Sequence, residues 1–373
     1  MKRLCLCSWL SLCLVACLLT TLTPSDVKAE TCPVLAPVCT IKDLPLLRNV
    51  PNSDLADVYY PNVPASSRKY FKDAFPVVVV LQGANVDKSF YSQFGTRLAA
   101  SLFVVIIPNH FRSVPTGLPF PPVFTGLFSG SSVVSNALAW VKNEDNNNLS
   151  SPLYTLYTIA DTKTVGLVGH SFGGVAGLYA SAVDGCSQPQ GALFCEGSYT
   201  RPAGLKAAVF YGTNLVVNVV PPPCPPNSPK YVVTDLNTSG VAVTLMQGML
   251  DGSSCDPNLP SLQKAELTYP TLEDPRGLIT IDGANHYGIC DMNNPPASPA
   301  FPFLPAPTSE DANHQPILSQ NESVTRVALW TGLWLRAQLK NDPVARWWIY
   351  QAQGSPDEVV DVCTEDLAIC KQQ

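Results

Sequence analysis

Two stretches of the chain are apolar without interruption. Val77 to Leu81 (VVVVL) and Leu102 to Ile107 (LFVVII) lack polar alternation, the pattern of strands buried on both faces of a parallel sheet. Between them, Asp87 to Ser101 places Phe90, Phe94, Leu98 and Ala99 near helical spacing. Ser131 to Lys142 continues that rhythm with Val134, Leu138 and Val141, until the Asn-rich stretch 143–148 ends it. Thr164–Val168, Lys206–Tyr211, Val241–Met246 and Leu278–Ile281 read as further strands, Gly173–Val183 as a helix of small residues, and Val324–Leu339 as the last helix. This alternation predicts an α/β fold with a mostly parallel central sheet flanked by helices. Two Pro-rich insertions, 214–235 and 293–320, interrupt it. Long loops without structure of their own are often functional, and the second insertion is expected to shape or cover a site.

Composition narrows the class. The chain has 373 residues, 46% apolar and 14% charged, enough to bury a large core in one or two domains. A net charge of -6 and the absence of any Lys/Arg run leave no basic face for a phosphate backbone, so nucleic acid is not an expected partner. The first 29 residues read as a secretory signal: Lys2 and Arg3, an apolar run from Leu4 to Leu22, and a small-residue end at Val27-Lys28-Ala29. A retained anchor and a lipoprotein signal at Leu14-Val15-Ala16-Cys17 are the competing readings; the second is weakened by the apolar residues after Cys17. Cleavage after Ala29 leaves 20 Lys+Arg against 28 Asp+Glu, a net charge of -8, and a secreted or extracytoplasmic protein with no stable membrane span. The expected organisation is signal 1–29, N-terminal extension 30–74, catalytic domain 75–342 and C-terminal tail 343–373.

Nine cysteines follow the signal, with no C-x-x-C zinc spacing among them, and disulfides are expected. Cys186 with Cys195 is the favoured local pair; Cys224/Cys255, Cys32/Cys39 and Cys363/Cys370 are further options, and the odd count leaves one thiol over. Asn148, Asn237 and Asn321 begin glycosylation sequons.

Candidate chemistry begins at Gly169-His170-Ser171-Phe172-Gly173-Gly174, a G-x-S-x-G between the third strand and its helix. A serine hydroxyl becomes a useful nucleophile when a tight turn exposes it and an imidazole takes its proton. Gly169 and Gly173 suit such a turn, since a Cβ at either would collide with strand or helix. The competing account is that the small residues merely allow close helix–strand packing. Hydrolases with this elbow carry Ser, acid and His in that order. Of four histidines, His110 precedes the serine and His170 sits in the elbow itself, which leaves His286, just past the strand ending at Ile281, and His314 in the Pro-rich insertion. His286 is the expected base. Asp251, after Val241–Met246, is the expected acid, with Asp256 as runner-up and Asp282 read as solvated. An oxyanion needs backbone N–H donors, expected from Phe172 and from Ala84 in the turn Gln82-Gly83-Ala84-Asn85.

These residues resemble the α/β-hydrolase superfamily, more narrowly the branch of chlorophyllases, PET-hydrolase-like cutinases, dienelactone-hydrolase-like proteins and platelet-activating-factor acetylhydrolases. Val77 to Gly83, a helix bearing Tyr91, Leu98-Ala99-Ala100 and the strand Phe103 to Pro108 look like that branch's segment after its oxyanion turn, and GHSFGG is similar to the elbow of the acetylhydrolases. The resemblance covers roughly Phe75 to Leu339. It implies an α/β-hydrolase fold, triad roles for Ser171, Asp251 and His286, oxyanion roles for Ala84 and Phe172, and a serine esterase acting on small-molecule or lipid-like esters with no cofactor and no metal. Gln82-Gly83 departs from the family's usual His-Gly or Pro-Gly, the loop after His286 is long, and 30–50 and the tail past Asp342 match no catalytic part. A catalytically silent binding protein of the same fold, or an acyltransferase or thioesterase with the same triad, are the alternatives.

Overall fold

In a computed structural model the protein is described over residues 32, 36–47, 54–115, 123–147, 151, 153–188, 191–218, 231–253, 259–351 and 360–364. The expected signal at 1–29, Asn148, Cys224, Cys255, Cys370 and Asp256 lie outside these residues.

The apolar runs form the centre of a nine-stranded mixed sheet. Its strands are β1 (Val38–Pro45), β2 (Leu55–Pro61), β3 (Phe75–Leu81), β4 (Val104–Pro108), β5 (Ala160–His170), β6 (Leu205–Tyr211), β7 (Ala242–Gly248), β8 (Arg276–Ile281) and β9 (Val360–Cys363). Their order is β1-β2-β4-β3-β5-β6-β7-β8-β9. From β4 to β8 all neighbours are parallel, and β1, β2 and β9 join antiparallel at the edges. Val77 to Leu81 are wholly buried, with one apolar cluster on each face of the sheet. Covering helices include α1 (Ser92–Ala100), α2 (Ser132–Val141), α3 (Phe172–Ser181), α4 (Ser261–Thr268) and α5 (Gln320–Leu339).

Both segments that flank the expected catalytic domain add strands to its sheet. Residues 38–45 and 55–61 continue the sheet beyond β4, and 360–363 extends it beyond β8. α5 begins four residues before the sequence pattern suggests, because Ser319 accepts a hydrogen bond from the Glu322 N–H and caps it there (3.3 Å).

Cys186 pairs with Cys195 and Cys32 with Cys39. Cys363 is disulfide-bonded as well, and Cys290 is a buried free thiol. Among the described residues no helix is long and apolar enough to cross a membrane.

Beside the Cys186–Cys195 loop, His110 is clamped between Asp54 (Nδ1 to Oδ2, 2.7 Å) and Glu196 (Nε2 to Oε2, 2.9 Å). Carboxylate oxygens only accept here, so both ring nitrogens carry hydrogen and the ring is a cation. Burial opposes that charge, but the bonds and charges of Asp54 and Glu196 prevail and raise the His110 pKa to about 9 from 6.5. Burial likewise opposes ionisation of Glu196, and His110 with Ser132 brings it down to about 2. The folded pKa of His110 lies above its unfolded value, so this stabilisation is complete below about pH 6.5 and disappears as the pH rises through about 9. It amounts to roughly 3 kcal/mol at most. The stability gap between wild type and His110→Gln in thermal unfolding is expected to narrow over that interval; a gap independent of pH would show that the clamp stabilises nothing.

Candidate active site

Each expected site residue stands at the carboxyl end of a parallel strand, the edge where open α/β sheets bind ligands. Ser171 follows β5, Ala84 follows β3, Asp251 follows β7 and His286 follows β8.

The elbow is as tight as the sequence requires. Ser171 has φ 53° and ψ -121°, a conformation non-glycine residues rarely adopt, and its N–H is held by the Tyr211 carbonyl (3.0 Å). A Cβ on Gly173 would lie 2.3 Å from the Leu81 carbonyl oxygen, and one on Gly169 would lie 2.5 Å from that of Gly173. Only glycine lets α3 leave β5 at that angle while touching β3.

Asp251 and His286 meet at 2.9 Å, Oδ2 to Nδ1, and both are buried. The carboxylate also accepts from Gln247 Nε2 (2.6 Å) and from the Ser253 N–H (2.9 Å). Burial works against its charge, but the bonds and the charge of His286 prevail and hold its pKa well below the usual carboxylate range. Burial likewise disfavours a charged His286, yet Asp251, with Glu310 behind it, raises the imidazole pKa above its ordinary value. Of the two other aspartates weighed, Asp282 is exposed, in keeping with a solvated role. His314 bonds Asp311 (2.8 Å) on the surface and plays no part in the Asp251–His286 pair.

Ser171, His286, His170 and Ala84 open onto one cavity of about 770 Å³. Val86, Val114, Phe124 and Phe128 make one side of it, and residues 305–311 of the Pro-rich loop make another. That loop is pinned by Ser298 to Asp87 and by the Phe301 ring stacked on Phe111 (5.3 Å). Trp330 and Trp334 are buried in the core, away from this cavity's lining. They lie on α5, whose inner face packs against the sheet.

In the turn after β3, the Asn85 N–H bonds the Leu127 carbonyl and the Val86 N–H bonds that of Gly83, so the Ala84 N–H is outside the turn's own bonds. Phe172 is the first residue of α3, and the first N–H groups of a helix have no partner within it. Both donors suit an anion. The unusual Gln82 braces the turn: its Oε1 accepts from the His110 N–H (3.2 Å), and its carbonyl accepts from Ser129 Oγ (3.1 Å).

Sequence reasoning missed Glu310. Its carboxylate accepts the N–H groups of Gly252 and His286, each at 3.2 Å, so the long loop grips the backbone of His286 and of the residue after Asp251. Asp251, His286 and Glu310 bring possible metal-ligand atoms within 4.8 Å of one another. Asp251 accepts from His286 Nδ1–H and Glu310 from two backbone N–H groups, so these ligand atoms already have hydrogen-bond donors. No local signal marks Glu310, since it contacts residues 24 and 58 positions away.

No known family model matches the chain, and no curated protein matches it.

Proposed function

We propose that the protein is a serine hydrolase of the α/β-hydrolase type that cleaves carboxylic esters. The observation that carries this reading is a serine on a strained strand–helix turn opening to the same cavity as a buried His286–Asp251 pair. In the proposed reaction Ser171 Oγ attacks the acyl carbon while His286 Nε2 takes its proton. The oxyanion lies toward the N–H groups of Ala84 and Phe172. Collapse expels the alcohol, which receives the proton from His286, and leaves an acyl-Ser171 ester. Water then attacks that ester with His286 again as base, releasing the acid and restoring the hydroxyl. Asp251 holds the Nδ1–H tautomer and stabilises the imidazolium in both halves.

The lining supports neutral esters with apolar acyl groups, because Val86, Val114, Phe124 and Phe128 face the cavity and the loop adds carboxylates but no cation. The disulfides support an oxidising, extracytoplasmic setting. The test is hydrolysis of p-nitrophenyl esters from two to sixteen acyl carbons, with fluorophosphonate labelling alongside. Turnover and labelling together are expected. A folded protein that shows neither refutes the reading.

A further inference from the structure

His170, the variable residue of the elbow, is fully buried between three pieces of the site. Its Nε2 lies 2.9 Å from the His286 carbonyl oxygen, and its Nδ1 lies 2.9 Å from Tyr91 Oη. Tyr91 Oη in turn accepts the Gly83 N–H at 2.9 Å. A peptide carbonyl can only accept, so the ring proton sits on Nε2 and Nδ1 is bare. Tyr91 must therefore donate to Nδ1, and its oxygen is left to receive Gly83. One direction of donation satisfies every atom in the chain.

Resting on the esterase reading, we infer that Gly83, Tyr91 and His170 form a one-directional hydrogen-bond relay that fixes the oxyanion turn against the backbone of the base. Tyr91 and His170 are positioning residues in it. The turn and the ring are in contact, since a Cβ on Gly83 would lie 2.8 Å from His170 Nδ1. The ring centroids of His170 and His286 are 4.9 Å apart, so a charged His170 would oppose the imidazolium that catalysis needs at His286. Burial first, and the neighbouring His286 next, hold the His170 pKa down to about 3 and keep it neutral. Tyr211 and Tyr287 are the other rings against it, and Cys290 lies beside Tyr91.

Tyr91→Phe removes one hydroxyl and strands both the Gly83 N–H and His170 Nδ1 in a buried site. Small misplacements of oxyanion donors and base act on the transition state more than on the bound ester. The folded variant is expected to lose about tenfold or more in kcat with KM within about twofold. His170→Gln, which can still donate to the His286 carbonyl, is expected to retain at least about tenfold more kcat than His170→Leu. With four histidines in the chain, nitrogen-15 NMR of the imidazoles can assign His170. It should remain the Nε2–H tautomer between about pH 5 and 9 in wild type and lose that single state in Tyr91→Phe.

A folded Tyr91→Phe enzyme with wild-type kcat overturns the relay, as does a wild-type His170 protonated on Nδ1. If Tyr91→Phe does not fold, equal losses in His170→Gln and His170→Leu overturn it. If the wild type neither turns over esters nor labels with fluorophosphonate, the esterase reading falls, and the tautomer of His170 still decides the relay by itself.

Discussion

Ser171→Ala is expected to lower kcat for a p-nitrophenyl ester by about 10⁵- to 10⁶-fold, the scale of losing a nucleophile that works as a unit with its base. The expected loss follows from the geometry of the elbow. The elbow puts the Ser171 hydroxyl, on its strained turn, at the carboxyl edge of the sheet and in the same cavity as His286. What remains would come from the oxyanion donors and the cavity. Stability should change little, because alanine inherits the same backbone strain at φ 53° and the Ser171 N–H bond to Tyr211 uses no side-chain atom. Circular dichroism and thermal unfolding should overlay those of wild type. Turnover within about tenfold of wild type would mean that some other group attacks the ester.

Asp251→Asn should be nearly as damaging, on the order of 10⁴-fold in kcat with the fold retained. The carboxylate accepts three hydrogen bonds, from His286 Nδ1, Gln247 Nε2 and the Ser253 N–H. An amide has one accepting end. Oδ2 accepts from both His286 and Gln247 and Oδ1 from Ser253, so the NH₂ of an asparagine faces either the Ser253 N–H or both His286 and Gln247. In the second orientation the imidazole escapes by moving its proton to Nε2, where it can no longer take the proton of Ser171. The pH profile carries a second signature. Asp251 raises the His286 pKa, and a base works only when neutral, so the acid limb of kcat/KM in wild type is expected above the ordinary histidine value. Removing the charge lowers that pKa and moves the limb to lower pH. A variant whose limb moves upward, or which keeps full turnover, would remove Asp251 from its role.

The central strands and the elbow are read easily because their causes are local. A strand buried on both faces must be apolar at every position, as in Val77 to Leu81, whose four valines and leucine are fully buried. The edges carry a different signature. β1 contains Lys42 and Asp43, and β2 contains Asp57, which is buried yet compensated by Lys88 from 31 residues away at 2.6 Å. A charge inside a short segment argues against a strand until its distant partner is known. β9, only four residues long, has too little length for alternation to be counted.

The candidate site divides along the same line. Ser171, Asp251 and His286 are legible because the elbow has a tight local pattern and the others follow strands in a recognisable order. Ala84 and Phe172 are picked out by position, in the turn after the first central strand and next to Ser171, because the role proposed for them needs only backbone N–H groups. Glu310 and the bonds of His170 have no such marker, since their partners sit 24 to 116 residues away. The sequence by itself determines the alternating layers, the glycines of the elbow, the chain order of Ser171, Asp251 and His286, and the local Cys186–Cys195 pair. The tertiary structure alone decides which strands close the sheet at its edges, which carboxylate of the Pro-rich loop grips the backbone at Gly252 and His286, and which tautomer His170 adopts. Hydrophobic period and turn chemistry act over a few residues, whereas a buried hydrogen bond is chosen by whatever donor the folded chain brings within 3 Å of an acceptor.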